Sequence, residues 1–192
     1  MQKDENLLDW VVVSVISQDR PGIVACVSKA LYENHYNIEA LSQTAILGQF
    51  AMILIASAKK GQPHQSLETA FQALSQTLGL NISLKEARRE DMVPYRKNGT
   101  EPFVITVHGE DRPGLAYGVS EILAGWGINI TRLDANVTLI GQKMEYLQIF
   151  EVDIPEELDF DWIHDRLRKR GQELGVSIDL QHQEIFRAIN QL

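Results

Sequence analysis

A chain that carries one stretch twice is constrained to fold as two copies of one unit. Here the tetrapeptide Asp19-Arg20-Pro21-Gly22 returns letter for letter as Asp111-Arg112-Pro113-Gly114. The neighbours return with it. Val11-Val12-Val13-Ser14-Val15 falls on Phe103-Val104-Ile105-Thr106-Val107, Val27-Ser28 on Val119-Ser120, Leu31 on Leu123, Asn37-Ile38 on Asn129-Ile130 and Leu41 on Leu133, in one ungapped register. Chance repetition of four residues would not bring their surroundings along, so the chain is an internal duplication.

Each copy of the tetrapeptide lies between a strand-like apolar run and an apolar periodicity of helical spacing, which makes it a strand-to-helix turn. Pro21 and Pro113 have φ preset for a first helical turn and lack the N–H that would be unpaired there. Asp19 and Asp111 are placed to cap the helix start. Gly22 and Gly114 bare the backbone, so that a carboxylate or phosphate can approach the first-turn N–H groups. The same residues also make an ordinary turn and cap, and both readings stand at this point.

The 192 residues then divide into two units of roughly ninety, each near the lower size at which a domain stands alone. With 44% apolar and 23% charged residues the composition is that of a globular protein. The opening residues Met1 to Asn6 are polar and acidic, unlike a signal peptide, and no apolar run reaches membrane-spanning length, so a cytoplasmic protein without a membrane partner is expected. Cys26 is the only cysteine, which excludes an intrachain disulfide and reads as a small buried apolar residue on the first helix. The net charge is −8: residues 1–99 carry ten basic and ten acidic side chains, and residues 100–192 carry eight and sixteen. An acidic second half argues against direct nucleic-acid binding, whose affinity comes largely from phosphate contacts.

Along the chain, Trp10 to Ile16 is rich in β-branched residues and almost wholly apolar, and reads as a strand buried on both faces. Ile23, Val24, Val27, Ala30 and Leu31 follow at helical spacing, and that helix should stop near Asn34-His35. Ile38 to Ala45 mixes polar and apolar residues as a half-exposed strand does. A turn at Gly48-Gln49 then leads into the apolar run Phe50 to Ile55. Leu67, Ala70, Phe71, Leu74 and Leu78 make a second helix closed by Gly79, and Ile82 to Leu84 return as a strand. Residues 89–101 have no period and contain Pro94 and Gly99, the marks of a linker between a first domain at 8–88 and a second at 102–192. The second half repeats the order, with a turn near Gly141-Gln142 and a helical tail from Glu184 to Ile189 whose apolar residues cap an edge or a partner.

Strand, helix, strand, strand, helix, strand, twice, implies two ferredoxin-like (βαββαβ) α+β domains, antiparallel sheets with both helices on one face. If helices cover one face only, the runs at 11–16 and 50–55 should alternate apolar with polar. They do not, so the other face is expected to be covered by the sister domain or another subunit.

Strand, Asp-Arg-Pro-Gly-(Ile/Leu), helix, then Asn-Ile opening the second strand resembles the ACT domain, a small amino-acid-sensing regulatory module. Two such modules with no catalytic domain resemble the glycine cleavage system transcriptional repressor group. The resemblance covers all but the linker and the ends. It implies a non-enzymatic regulatory protein without cofactor or metal, a homodimer that binds a free amino acid between modules and signals through a regulator protein partner. It places the Pro-Gly turn of one module and the start of the second strand in the pocket. The residues so nominated are Asp19, Arg20, Pro21, Gly22, Ile23, Asn37 and Ile38, with Asp111, Arg112, Pro113, Gly114, Leu115, Asn129 and Ile130. A zwitterion needs donors for its carboxylate, which an open helix start has, and acceptors for its ammonium, which Asn37 or Asn129 can offer. Gly127-Ile128-Asn129-Ile130 matches the family pattern better than His35-Tyr36-Asn37-Ile38.

Two other classes fit the fold. An enzyme such as an acyl-phosphate hydrolase would need a phosphate loop ending in arginine, a Ser/His/Asp spacing or a histidine pair, and none is present. His64, His108, His164 and His182 are scattered and read as surface residues, and Glu156-Glu157 with Asp159-Asp161 reads as an acidic helix start. The third class is an interaction scaffold without ligand.

Overall fold

The structure, a computed structural model, describes residues 8–92, 99–140 and 143–190. The turn expected near Gly141-Gln142 lies outside the described residues, as does the middle of the expected linker. The chain divides into two compact units, Met1–Val93 and Pro94–Leu192.

In the first unit, β1 (Leu8–Gln18), α1 (Ile23–Glu33), β2 (Asn37–Ile46), β3 (Gln49–Lys59), α2 (His64–Leu78) and β4 (Asn81–Ala87) succeed one another, and a 3-10 turn (Arg89–Met92) follows. The sheet order is β2-β3-β1-β4, antiparallel throughout. The second unit repeats this with β5 (Thr100–Glu110), α3 (Leu115–Gly125), β6 (Asn129–Ile140), β7 (Lys143–Pro155), α4 (Phe160–Leu174) and β8 (Val176–His182), in the order β6-β7-β5-β8. A last helix, α5 (Gln183–Asn190), packs back on β5 and β8 of its own unit. The ferredoxin-like α+β reading holds for both halves.

Helix periodicity decides which face is dry. Ile23, Val27, Ala30 and Leu31 of α1, with Leu67 and Phe71 of α2, close over Val11, Val13, Val15, Met52, Leu54 and Ala56. The second unit packs Val119, Leu123, Ile163 and Leu167 over Ile105, Val107, Phe150 and Val152. Deleting one of these fully buried leucines would cost about 2–5 kcal/mol.

Within the single chain the two apolar runs are buried on one face and partly open on the other. Along β1, Val11, Val13 and Val15 are buried while Val12 and Ser14 are half-buried and Ile16 is 55% exposed; across from them Ile53 is 54% exposed. The alternation is in burial and not in polarity. Valine and isoleucine suit a pleated strand whichever way they point, so the sequence hides it.

The turns explain several boundaries. Leu47 (φ 49) and Gly48 (φ 78) both have positive φ, the signature of a two-residue type I′ hairpin, so the turn is Leu47-Gly48 and β3 begins at Gln49. At the end of α1 the Tyr36 N–H returns to Leu31 O and the His35 N–H to Tyr32 O, with His35 at φ 63. The second unit makes the same return from Ile128 to Leu123, with Gly127 at φ 68. Histidine thus occupies a left-handed helix-closing position that suits glycine.

Candidate ligand-binding site

The two Asp-Arg-Pro-Gly turns superimpose in conformation. Gly22 has φ 96, ψ −8 and Gly114 has φ 94, ψ −1, values of the third residue of a type II turn, with Pro21 and Pro113 ahead of them as that turn favours. The helices begin at Ile23 and Leu115, so the prolines sit in the turn and not in the first helical turn as expected. Nor do the aspartates cap. Both helices have glycine at the N-cap and no side-chain cap hydrogen bond. Asp19 instead donates its backbone N–H to Gly48 O. By contrast α4 is capped, Asp159 Oδ1 accepting the Trp162 N–H at 2.7 Å, as its acidic start suggested.

Intrahelical bonding starts with the N–H of Cys26 to Gly22 O and of Gly118 to Gly114 O. The amides before them have no intrahelical acceptor and meet the positive end of the dipole. A Cβ built at Gly22 or Gly114 meets nothing within 4 Å, so the space beside each turn is open, and Pro21 and Pro113 beside it are exposed. Ile23 and Leu115 are buried and anchor the helix start to the core.

The repeated arginines reach across their own unit. The Arg20 guanidinium donates to the carbonyl of Leu78, the last residue of α2. Arg112 pairs with Glu110 at 3.1 Å and lies against Gly175 after α4, where a Cβ would meet its Nη1 at 2.8 Å. A cation at the carbonyl end of a helix is favourably placed. No pattern in the sequence pointed to this tie.

Asn37 and Asn129 open β2 and β6, as expected, but at the far end of each sheet from the turn. Asn37 pairs with Ser57, which pairs with Trp10 at the start of β1, whereas the turn follows Gln18 at its end, about 26 Å away along the strand. Asn129 pairs with Asp153 in the same way. Turn and strand start of one unit therefore do not share a pocket. The Asn37 amide donates to Glu39 Oε1 at 2.9 Å, and Ile38 and Ile130 pack against their cores.

The sequence undervalued one histidine. His64, the first residue of α2, has Nδ1 2.6 Å from the buried Tyr36 hydroxyl and Nε2 3.7 Å from Glu86 Oε1. Burial raises the Tyr36 phenol pKa, with Asp9 and Glu86 adding to the shift. The three side chains clasp the start of α2 to the start of β2 and to β4. Among the described residues no three His, Cys, Asp or Glu side chains gather as a metal site.

Two sheets of this topology, each with an open glycine turn ahead of its first helix, define a tandem of small ferredoxin-like regulatory modules. The ACT domain profile matches residues 9–85 and 101–181, and the chain belongs to the ACT domain family. Among relatives, a UPF0237 protein of Methanopyrus kandleri is 32% identical over 90 residues, 46% of this chain and 96% of that protein. One of Methanocaldococcus jannaschii is 36% identical over the same length and coverage. These relatives are about one module long. A crystal structure of an unknown protein from Galdieria sulphuraria matches 91% of this chain and 98% of its own, at TM-score 0.74 and 27% identity. A structure bearing the provisional name glycine cleavage system transcriptional repressor matches 91% and 97%, at TM-score 0.64 and 18% identity, and so shares the fold.

Proposed function

We propose that this protein is a non-enzymatic amino-acid sensor. It binds a free amino acid where the Asp-Arg-Pro-Gly turn of one module meets the second-strand start of another. The reading is carried by the pair of uncapped helix starts, each held open by a glycine at φ near +95° with space beside it. An α-carboxylate suits those amides, and the ammonium suits the carbonyl side of an asparagine at a strand start. Because Gly22 and Asn37 lie at opposite ends of one sheet, the full site takes residues from two modules, and a homodimer is the assembly that supplies them. Binding shifts how modules pack, by no more than the ligand's differential affinity for the two arrangements. A regulator protein reads the shift in the cytoplasm, in transcriptional control of amino-acid metabolism, with glycine the first candidate. The acidic second half disfavours DNA as the direct reader.

Isothermal titration with glycine, serine and the branched and aromatic amino acids tests this. At least one ligand should bind, and Gly22→Ala or Gly114→Ala, which puts a methyl into the open space a ligand would take, should weaken it tenfold or more. A full panel without heat or thermal shift would remove the sensor role.

A further inference from the structure

The helical layer of the second unit carries a charge pattern that the first lacks. On α4, Trp162, Asp165, Arg166, Lys169 and Glu173 recur at helical spacing along one stripe, and all five are exposed. The matching stripe of α2 is Ser66, Thr69, Ala70, Ala73 and Thr77, neutral throughout. Its hydroxyls are spent on nearby backbone, Ser66 Oγ donating to Pro63 O at 3.0 Å, Thr69 Oγ1 to Gln65 O at 2.8 Å and Thr77 Oγ1 to Ala73 O at 2.7 Å.

Along α4 the charges are sorted: Asp159, Asp161 and Asp165 precede Arg166, Arg168, Lys169 and Arg170. The helix dipole accounts for Asp159 and Asp161 at the helix start, but not for the bases, because its influence is confined to the end turns and no base stands in the last one. Contacts within the unit account for some of the rest. Arg170 donates to Gly118 O at 3.0 Å and to the Glu173 and Glu121 carboxylates at 3.2 and 3.3 Å, and the Arg166 guanidinium lies 5.3 Å from the Trp162 ring centroid. Asp165 and Lys169, one turn apart, form no ion pair with any described residue. Beside them Trp162 is 41% exposed, and a hollow of about 300 Å³ opens between α3 and α4, lined in part by Ile122, Arg166 and Lys169.

We infer that this stripe is the contact with a second copy of the chain, α4 docking on α4 in antiparallel sense. About a two-fold axis, antiparallel docking sets the acidic end of each helix against the basic end of the other, so that Asp165 of each copy faces Lys169 of the other. Parallel docking would oppose like charges. Trp162, with Arg166 over it, is the kind of exposed aromatic that anchors such a contact. Because the α2 stripe is neutral, the first unit has no equivalent surface, and the assembly closes as a dimer instead of propagating. The homodimer proposed above is defined by its ligand; this contact is defined by charge order and forms without one.

Sedimentation equilibrium of the full chain in buffer free of amino acids tests it. The unaltered chain should dimerise, and less tightly as salt is raised. Asp165→Lys and Lys169→Asp, both at exposed positions, should each be monomeric where the unaltered chain is dimeric. An equimolar mixture of the two variants should recover the dimer mass, since every facing pair is then unlike, and that recovery also shows that both variants are folded. A dimer indifferent to both substitutions, a mixture that stays monomeric, or an unaltered chain that is monomeric up to about 1 mM overturns the inference. So does a monomeric chain that instead binds oligo-glutamate or a single-stranded oligonucleotide through Lys169. Heat of amino-acid binding that depends on Gly22 or Gly114 is read separately, so failure of this contact and failure of the turn site are distinguishable.

Discussion

In the first unit the strand-start bulge carries an acid, Glu39, and the neighbouring strand a hydroxyl, Ser57. In the second the bulge carries the hydroxyl, Thr131, and the neighbouring strand the acid, Asp153. The positions correspond and the chemistry has changed sides. The surroundings have diverged as well. Glu39 borders an open cavity roofed by a four-residue 3-10 turn, whereas Asp153 is buried. In the second unit an eight-residue helix follows the last strand, and its Gln183 binds Glu151 at 3.0 Å. The glycine turns, by contrast, agree to within a few degrees. A duplicated module has thus kept the geometry at one end of its sheet and spent its sequence freedom at the other.

The cores differ in the same spirit. Met52 of the first unit is replaced by Gln148, which is 0% exposed, donates to the Tyr146 hydroxyl at 2.8 Å and leaves its own Oε1 without a partner. Tyr146 in turn stands where the first unit has Phe50, as the pairings with Ser17 and Gly109 show. The second core carries a polar pair that the first lacks.

The sharpest way to break the comparison is at the shared turns. Gly22→Ala and Gly114→Ala meet no steric neighbour, so each should cost only the left-handed penalty, about 1–2 kcal/mol, and the two losses should match. Denaturant unfolding read by Trp10 for the first unit and by Trp126 and Trp162 for the second would show it; unequal losses would mean the turns are not equivalent. Next in size is the Tyr36 clasp, absent from the second unit, which has Ile128 there. Tyr36→Phe should cost the first unit about 1 kcal/mol at neutral pH. Because burial raises the phenol pKa in the folded state, its stabilising effect is complete below about pH 10 and is lost as pH rises beyond that. The first unit should therefore weaken first in an alkaline titration, and Tyr36→Phe should flatten that dependence. The smallest effect is at the helix ends. His35→Gly gives the first unit the glycine of the second and should stabilise it by about 0.5–1 kcal/mol, while Gly127→Ala should lower the second by a similar amount. A neutral result at both would remove strain as the distinction.

Much of this was legible in the residues. The repeat fixed two units, helical spacing picked out Val27, Leu31, Val119 and Leu123 as core, and the acidic stretch around Asp159 marked a helix start. The misreadings have physical causes. Val12 and Ile53 do not tell which face of the sheet they take, because their shape suits any strand position, and Asp19 looks like a cap because a type II turn with a left-handed glycine leaves the same letters as a capping turn. The Arg20 reach, the bulge at Glu39 and the Tyr36–His64 contact join residues far apart in sequence, and no local pattern encodes them.

The arginine of the repeated turn has one further consequence. Its backbone belongs to the loop that opens the first helix, and in the first unit its guanidinium grips the final carbonyl of the second. A displacement of that loop is therefore transmitted as a tug on the opposite end of the helical layer. Under the proposed sensor reading, occupancy at Gly22 would reach Leu78 through this one bond.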